Sequence, residues 1–575
     1  HSTSRRQRQM CIRDRNGLPD DYFIFLENGK RLYGDDTYAR INVAKIKRIE
    51  ILNGASSALY GTNAIGGVIN IITDDVKNAI NVSSDTRYAS KGRFTQSVNI
   101  DVNTGKFGSY TSYRRQQAEG WQLNPYEENS KTHELEETGK VASTGFYANT
   151  VNQKFTFDAT DKLSFYARGG YYDNKTRRPY EAYDYNILHE TFNYGIGAQY
   201  MINKGNYITA DCYADHFSSS YCFFKDNKTY NGKAGEEQVR KRTRNHNLSI
   251  KGIFKLGNRH KLSVGTEYIV DVLKSQTDNI AKEDAYTLAL FAQDEIKLLR
   301  NLQALIGVRY IYHENFKNHA TPNVALMYKP GKFNFRASYA AGFRTPTLSE
   351  LYATDIAKKN DRLTIGNLDL KPEKNNYFSL SAEYVHERFS VSVNAFYNNI
   401  RDMIDYNTIA TGDKAMEQYG HKEVRQRDNI AEAKVHGINV SANAYLGAGF
   451  NLSGGYTHLN TQDVELEQPI DKSIKNAYNI NAQWAHSWKI YRLNINLNGR
   501  FNSKRFSKSY GYAPEYQLWD LNTRHSFNLK SVIIEPGCGM ENLFDYMDDR
   551  PYNSNYATLT PGRSFYISLS LKFKS

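Results

Sequence analysis

The sequence predicts an all-β protein, a transmembrane antiparallel β-barrel of about 22 strands with a partial, mixed α/β domain in its lumen. From about Ser83 to the C-terminus, apolar and polar residues alternate in runs of about ten, the period of a strand with two unlike faces. Short connections alternate with long polar ones, as in barrels that have turns at one end and loops at the other. Aromatic residues make up 13% of the chain, although its mean hydropathy is only -0.67.

The composition excludes several other architectures and partners. No apolar run in the 575 residues approaches the roughly 18 residues that a membrane-spanning helix requires, so a membrane location demands a closed barrel. The net charge is +13, but the basic residues are interleaved with 61 acidic ones, so we expect no nucleic-acid partner. A barrel of about 16 or 18 strands with longer loops also fits the spacing. A soluble β-sandwich or propeller is the alternative fold.

The four cysteines, Cys11, Cys212, Cys222 and Cys538, show neither a CxxC motif nor metal-ligand spacing, so we expect no metal site and no cofactor. Cys212 and Cys222 leave two alternatives open: a disulfide across a hairpin in an oxidising compartment, and two free thiols. Residues 1–15 are basic and lack the apolar core of a secretory signal, so we interpret them as unstructured or foreign to the fold.

Residues 16–77 differ from the rest of the chain and form the predicted lumenal domain, while residues 78–575 form the barrel. Short apolar runs at Tyr22–Leu26, Ile49–Leu52 and Val68–Ile72 predict buried strands. The small-residue segment 54–67 joins the second run to the third, because glycines there permit tight turns and close backbone approach.

The C-terminal strand shows the two faces of the barrel wall most clearly. Phe565, Ile567, Leu569, Leu571 and Phe573 alternate with polar residues, which predicts that the apolar side faces lipid and the other side faces water. The hairpin at 378–397 repeats this pattern around a turn at 385–388. That turn and a second one at 446–448 are predicted on the same side as the C-terminus, with long connections such as 403–428 at the opposite end.

Several motifs resemble those of TonB-dependent receptors. The segment 46–73, IKRIEILNGASSALYGTNAIGGVINIIT, is similar to the end of the plug domain of that family, although Asn53-Gly54-Ala55 replaces the usual Arg-Gly-Pro. Further barrel motifs extend the resemblance from about Asn16 to Ser575: GFRTPTLSELY at 342–352, GNLDLKPEK at 366–374, NIAEAKVHG at 429–437, ENLFD at 541–545 and PGRSF at 561–565.

The resemblance implies a multi-pass β-barrel in the outer membrane of a Gram-negative bacterium, in contact with outer-membrane lipid and expected to be a monomer. It implies active uptake of a scarce nutrient, a ferric siderophore or cobalamin, driven by TonB and its inner-membrane energising complex. It also implies a signal peptide, a TonB-pairing segment and the first half of the plug before Asn16. We find none of these in the sequence, so we expect an N-terminally truncated copy that lacks the pairing segment.

Two alternatives to this function remain open. A haem receptor usually has a histidine between the two loop motifs, and residues 343–369 contain none, although His421 in the next long loop keeps haem open. A passive outer-membrane porin would share the barrel but lack the plug strands. No HExxH, GxSxG or P-loop motif is present, so we expect no enzyme activity.

In the family, the ligand binds between the plug apex and the external loops of the barrel. The matching apex is Arg31–Tyr38, and tyrosines in the external loops offer flat faces and hydroxyl groups to a large ligand. Each of these side chains has an alternative role in bracing the wall, solvating the plug or lining a membrane girdle. The predicted ligand-binding residues are Arg31, Tyr33, Asp36, Tyr38, Tyr352, Tyr406 and Tyr419.

Overall fold

A computed structural model describes residues 18, 22–34, 36–37, 39–41, 46–54, 61, 65–73, 79–129, 132–357 and 361–574. A small mixed sheet comes first in the chain: β1 (Phe23–Glu27), β2 (Lys30–Arg31), β3 (Ile46–Asn53) and β4 (Gly67–Thr73). Its order is β2-β1-β4-β3, and β1 and β4 run parallel while the other pairs are antiparallel. The strands predicted in this segment are thus confirmed, with bounds that differ by a few residues.

The rest of the described chain forms a closed antiparallel barrel of 22 strands, as predicted. The first half of this region contains β5 (Ile80–Ala89), β6 (Arg93–Asn103), β7 (Phe107–Ala118), β8 (Tyr126–Glu128), β9 (Leu135–Glu137), β10 (Gly145–Asp158), β11 (Leu163–Arg177), β12 (Tyr185–Asn203), β13 (Asn206–Phe223), β14 (Glu237–Leu256), β15 (His260–Ser275), β16 (Ile280–Leu299), β17 (Leu302–His313), β18 (Lys317–Tyr328) and β19 (Phe333–Arg344). The second half contains α1 (Leu348–Tyr352), β20 (Thr354–Ala357), β21 (Arg362–Ile365), β22 (Glu373–Val385), β23 (Phe389–Thr411), α2 (Gly412–Tyr419), β24 (Glu423–Gly447), β25 (Phe450–Asp463), β26 (Asn476–Trp488), β27 (Tyr491–Asn502), β28 (Arg505–Ser507), β29 (Gly511–Ala513), β30 (Tyr516–Leu529), β31 (Val532–Glu541) and β32 (Ser564–Lys574).

Six of these strands lie in the connections. The β8–β9 and β28–β29 pairs form small separate sheets, and the β20–β21 hairpin joins the edge of β24 through parallel pairing. The barrel closes where β32 pairs antiparallel with β5. Among the described residues, no helix is long and apolar enough to cross a membrane.

The connections differ at the two ends of the barrel. One end has only short turns, at 104–106, 159–162, 204–205, 257–259, 300–301, 329–332, 386–388, 448–449, 489–490 and 530–531. The other end has longer connections, such as 119–144, 345–372 and 542–563. The C-terminus lies with the short turns, as predicted. Outer-membrane barrels have short periplasmic turns and long external loops, so the long connections mark the external end.

The predicted connection at 403–428 is wrong in its extent. Strand β23 continues to Thr411 and β24 begins at Glu423, so only 412–422 connects them. Pairs such as Tyr406 with Arg427 continue the ladder beyond the apolar part of the hairpin. A strand above the membrane needs no apolar face, and its polar sequence therefore resembled a loop.

The disulfide alternative for Cys212 and Cys222 is also wrong. Both residues lie on β13, where about ten residues of strand separate them by roughly 34 Å. A disulfide requires Cα atoms within about 7 Å of each other. Cys212, Cys222 and Cys538 are free thiols, and Cys11 lies outside the described residues.

The outer face of the barrel carries the predicted apolar stripe. Phe565, Ile567 and Leu569 are 56%, 66% and 41% exposed to the surroundings of the barrel. Aromatic rings lie in rows near both ends. Towards the external end, Tyr286 lies between Tyr268 and Tyr312, with ring centroids 5.9 and 6.0 Å away. Near the short turns, neighbouring rings come from Trp484, Trp488, Tyr491 and Phe527. Such rows are the girdles that mark the two membrane interfaces.

The small sheet lies in the lumen, because it contacts opposite parts of the wall. On one side, Lys30 forms an ion pair with Asp211 of β13 at 2.7 Å. On the other side, the ring of Tyr22 lies 5.4 Å from the guanidinium of Arg344, at the end of β19. That second side continues into an apolar cluster of lumenal and wall residues: Phe23, Phe25, Ile69 and Ile71 with Tyr377, Phe396, Ile400, Val435 and Leu459.

Candidate ligand vestibule above the lumenal domain

The loop after β2 is fixed to the wall through Asp36. Asp36 is only 2% exposed, and its carboxylate accepts hydrogen bonds from the Tyr172 hydroxyl at 3.2 Å and the Asn174 amide at 3.4 Å. The Nδ1 atom of His189 lies 3.1 Å from the same oxygen. Asp36 was predicted to bind ligand, and in the structure its carboxylate engages β11 and β12. Of its two predicted roles, these contacts favour bracing of the wall.

A buried ion pair holds the same loop to β13. Arg40 donates to the Asp215 carboxylate at 3.0 Å, and both side chains are almost fully buried. The Tyr33 backbone N–H donates to the second Asp215 oxygen at 3.0 Å, while Arg40 also donates to the Tyr33 carbonyl. Gly34 follows with φ +86°, and a Cβ atom there would lie 2.8 Å from the Phe217 ring. The loop can therefore pass the wall only with glycine at this position.

Two other predicted residues of the loop, Arg31 and Tyr33, lie beside each other. The Arg31 guanidinium lies 5.1 Å from the centre of the Tyr33 ring. Burial raises the pKa of the Tyr33 phenol, so the group stays protonated and can donate a hydrogen bond. Its buried oxygen has no hydrogen-bond partner among the described residues. Tyr38, the fourth residue predicted in this loop, lies outside the described residues.

The predicted tyrosines of the external connections lie in separate surroundings. Tyr352 ends α1 and packs against Leu351, Leu370 and Ile404; burial, Glu283 and Glu314 raise the pKa of its phenol. Tyr406, on β23, lies under the Arg427 guanidinium at 3.6 Å and accepts a hydrogen bond from it at 2.6 Å. Tyr419 lies half-buried at the end of α2.

A cluster that the sequence reasoning missed lies above the loop. We call it the vestibule cluster: Tyr185, Tyr221, Tyr230, Arg178 and Arg240. The rings of Tyr185 and Tyr221 stack at 4.1 Å, and Tyr230 meets them edge-on at 5.7 and 5.2 Å. The Arg240 guanidinium lies 4.9 Å from the Tyr230 ring and 5.3 Å from the Tyr221 ring, while Arg178 lies 4.9 Å from Tyr185.

Strand alternation places this cluster on the lumenal side. Tyr185 has the same parity on β12 as His189, which contacts Asp36, and Tyr221 has the same parity on β13 as Phe217, which faces Gly34. Four residues of strand put Tyr185 about 13 Å nearer the external end than His189. Tyr185 and Tyr221 therefore face the lumen above the plug-like sheet, and Tyr230, Arg178 and Arg240 lie in contact with their rings.

An open cleft adjoins the vestibule cluster. It has a volume of about 650 Å³ and lies across the rim of the wall, because Arg242 and Lys274 contribute to its walls as well as Tyr230, Arg240 and Lys241. Burial and the neighbouring Tyr185 phenol raise the pKa of Tyr230, which keeps its hydroxyl protonated as a donor. The cleft can accept a large ligand that carries aromatic faces and negative charge, because guanidinium groups pair with anions and stack on rings.

Two protein-family models match this chain. The model described as "TonB dependent receptor-like, beta-barrel" matches residues 89–535, and the model described as "TonB-dependent Receptor Plug Domain" matches residues 1–68. The chain belongs to the TonB-dependent receptor family. The receptor is thus a β-barrel of the Gram-negative outer membrane. Its family and its fold are those of transport receptors. The small lumenal sheet is part of its plug.

Solved structures with the same fold are siderophore receptors and an iron transporter. A variant of the ferric enterobactin receptor from Pseudomonas aeruginosa, in complex with enterobactin, has a TM-score of 0.81 and 17% identity, covering 97% of this chain and 92% of that chain. The siderophore receptor PirA from Acinetobacter baumannii has a TM-score of 0.78 and 16% identity, covering 97% and 91%. The FrpB iron transporter from Neisseria meningitidis has a TM-score of 0.74 and 14% identity, covering 97% and 93%.

In this receptor, a buried charge network joins the two motifs at 342–352 and 366–374. Arg344 donates to both carboxylate oxygens of Glu350, at 3.0 and 3.1 Å, and also to Glu373. Glu350 closes a capping box with Thr347 at the start of α1, and although burial raises its pKa, the charge of Arg344 lowers it overall. The Ile404 backbone N–H donates to Glu373 at 2.9 Å. These motif residues hold the long external loop to β22 and β23.

The sequence carried only a weak signal for the vestibule cluster. Its residues come from three strands and two loops between 178 and 240, and none of them belongs to a motif that resembles the family. Tyr185, Ile187, His189 and Thr191 do alternate with outward residues, which could have marked a lumenal face. Their proximity to Arg240 depends on the register between β12, β13 and β14.

Proposed function

We propose that the receptor takes up a ferric siderophore, and that the vestibule cluster makes the first contact with it. The observation that carries this proposal is the juxtaposition of three phenol rings with Arg178 and Arg240 above the plug, where Tyr185 and Tyr221 face the lumen. Many ferric siderophores are anionic complexes with flat, polarisable groups. Guanidinium groups attract such anions, and aromatic rings add stacking area at low entropic cost.

The plug apex completes the proposed site. The buried Tyr33 hydroxyl has no partner among the described residues, and an oxygen atom of a ligand above it would accept its hydrogen bond. Arg31 adds a cation beside the Tyr33 ring. Tyr38, Tyr352, Tyr406 and Tyr419 remain predicted contacts in the surrounding loops. Asp36 would contribute by fixing the height of this loop against β11 and β12.

We propose that TonB, with its inner-membrane complex, supplies the energy for release into the periplasm. The polar contacts of the plug with β12 and β13 support this route. Water can replace the partners of Lys30, Asp36 and Arg40 when the plug moves, so opening this side does not expose a large apolar area. The receptor would act as a monomer that contacts outer-membrane lipid along its apolar outer face.

Cobalamin and haem are the alternative ligands. The only sequence feature that kept haem open, His421, lies 2.8 Å from the Asp361 carboxylate, and the hydrogen bond between them lowers the pKa of Asp361. No observation in the described residues favours haem over a siderophore. The plug sheet in the lumen and the family assignment favour a receptor over a passive porin.

Equilibrium binding in detergent tests the proposal. Ferric enterobactin, cobalamin and haemin would each be titrated into the purified receptor, and the affinities compared. We expect ferric enterobactin to bind tightest and Arg240→Gln to weaken it by about tenfold or more, since a charge-assisted contact contributes about 1.5–3 kcal/mol. Arg259→Gln is the matched control, because Arg259 lies exposed in a short turn at the opposite end. Tighter binding of cobalamin or haemin, or equal affinities for both variants, would contradict the proposal.

Uptake in cells tests the energising step separately. Accumulation of iron-labelled enterobactin would be measured in otherwise identical cells with and without TonB. We expect accumulation only where TonB is present, while surface binding should be equal in both. Equal accumulation in the two strains would exclude TonB as the partner even if the ligand is correct.

A further inference from the structure

A basic patch lies on the outer face of the barrel, at the outer edge of the cleft beside the vestibule cluster. We call it the rim patch: Arg242 and Arg244 of β14 and Lys274 of β15. Asn245 hydrogen-bonds to Asp271 across the two strands on the lumenal face, so residues of the other parity point outward. Leu248 and Ile250 share the face of Arg244 and are 51% and 47% exposed, as lipid-facing residues should be. The three cationic side chains of the rim patch are also exposed.

Strand register fixes the height of the rim patch. Arg244 pairs with His216 of β13, and His216 pairs with Phe192 of β12, which is 52% exposed on the outer face. Arg244 therefore lies in the same row as Phe192 and Val272, and this row also contains Asp284. Arg242 and Lys274 pair directly in the next row towards the external end. Tyr268, in the girdle, lies about 13 Å from the level of Arg244 towards the membrane centre.

The charges of the rim patch are not compensated within the protein. Arg242, Arg244 and Lys274 form no ion pair with any residue in the part of the chain that the structure describes. Of the nearby acidic groups, Glu190 accepts a hydrogen bond from the Tyr171 hydroxyl at 2.9 Å, and Asp284 pairs with Lys282 at 3.4 Å. Like charges directly opposite each other on neighbouring strands destabilise a sheet. An anion between Arg242 and Lys274 would remove that repulsion.

The shape beside the rim patch also suits a headgroup. A groove of about 260 Å³ lies next to it, and Tyr171, Phe192, His216, Arg242 and Arg244 contribute to its walls. Its membrane side is aromatic, and its external side carries the Arg242 guanidinium and the Glu190 carboxylate, which accepts the hydrogen bond from Tyr171. Guanidinium groups bind phosphate through two parallel hydrogen bonds, and an ammonium group adds a point charge.

We propose that the rim patch binds the phosphate group of a lipid headgroup in the external leaflet of the membrane. The two arginines hydrogen-bond to the phosphate oxygens, Lys274 neutralises the remaining charge, and the acyl chains lie along the apolar rows from the Tyr268 girdle towards the membrane centre. The lipid is chosen over a free anion because the groove continues from the charged row into the apolar belt.

Native mass spectrometry of the detergent-solubilised receptor tests this proposal. The probes are diphosphoryl lipid A, the same lipid with its phosphates removed, and inorganic phosphate. We expect the phosphorylated lipid to bind at least about tenfold tighter than the dephosphorylated one, and the Arg242→Gln/Arg244→Gln double variant to lose that preference. The matched control is Arg259→Gln/Lys530→Gln, which removes the same charge from two exposed turns at the other end. We expect it to bind as the unmodified receptor does.

Three outcomes would overturn the proposal. They are equal binding of the two lipids, an unchanged preference in the double variant, and binding of inorganic phosphate as tight as that of the lipid, which would assign the patch to a free anion. Lys274→Gln provides a second test should the double variant fail to assemble. We expect this exposed single substitution to reduce the preference partially, and an undiminished preference in Lys274→Gln would also count against the patch.

Discussion

The plug contacts the barrel through two regions of opposite chemistry. Towards β12 and β13 it uses charges and hydrogen bonds, through Lys30, Asp36 and Arg40. Towards β22–β25 it uses an apolar cluster that includes Tyr377 and Ile400. Water can replace a lost partner in the first region, whereas separation of the second exposes apolar area at about 25 cal/mol per Å². The difference indicates an anchored side and a side that can be released, and the releasable side lies below the vestibule cluster.

Asp215→Ala should have the largest effect on this comparison. It leaves the buried Arg40 guanidinium without its carboxylate, and removing one partner of a buried pair costs about 3–5 kcal/mol. We expect the free energy of local plug opening, measured by hydrogen exchange at the amides of β1, to fall by that amount. Asp215→Asn, which keeps an acceptor for the Tyr33 N–H, is the milder control. Unchanged exchange in Asp215→Ala would mean that this pair does not hold the plug.

Ile400→Ala should have the next largest effect, on the anchored side. Ile400 is fully buried between wall and plug, and removing such a side chain from a packed core costs about 2–5 kcal/mol. Exchange at the amides of β4 is the measurement. Val393→Ala, on the outward face of the same strand and 40% exposed, should leave that exchange as it was. If both variants give the same result, the apolar cluster is not an anchor.

Lys30→Met should have the smallest effect on plug opening. The salt dependence of this effect distinguishes an exposed ion pair from a buried one. The Lys30–Asp211 pair is partly exposed, with 21% and 13% of the two side chains accessible, so it contributes only about 0–1 kcal/mol. In about 1 M salt, screening should abolish the difference between Lys30→Met and the unmodified receptor. The buried Arg40–Asp215 pair should keep its effect in the same salt. If Lys30→Met still differs from the unmodified receptor at this salt concentration, the Lys30–Asp211 pair behaves as a buried ion pair, against this prediction.

The sequence was sufficient for the local features of the fold. Alternation assigned the outward faces of β22, β23 and β32, because successive side chains of a strand point to opposite faces of the sheet. It could not assign Tyr377 and Phe396, two inward aromatic residues in a lumen expected to be polar. Their environment is set by plug residues more than three hundred positions earlier in the chain.

The candidate site was predictable only where it follows a motif. The segment 31–38 was found from its position relative to 46–73, and the structure places Arg31 and Tyr33 beside one another there. The three partners of Asp36 are 136, 138 and 153 residues away, so the local sequence does not predict them. The vestibule cluster depends on strand register in the same way, so only the assembled barrel brings Arg240 to Tyr221 and Tyr230.

The seam between β32 and β5 has a consequence for how the chain reaches its final form. Its backbone pairs include Ser90 with Phe565, and Arg87 and Arg93 both bind Glu541 across the neighbouring strands. These partners lie 448 to 475 positions apart. One edge of β5 therefore has no partner strand until β32 has been synthesised. Contacts of such long range are slow to form, because the entropy of loop closure opposes them until the last strand arrives. Seam formation is therefore a late step in assembly, and an unpaired β5 is the edge that a chaperone must protect from aggregation.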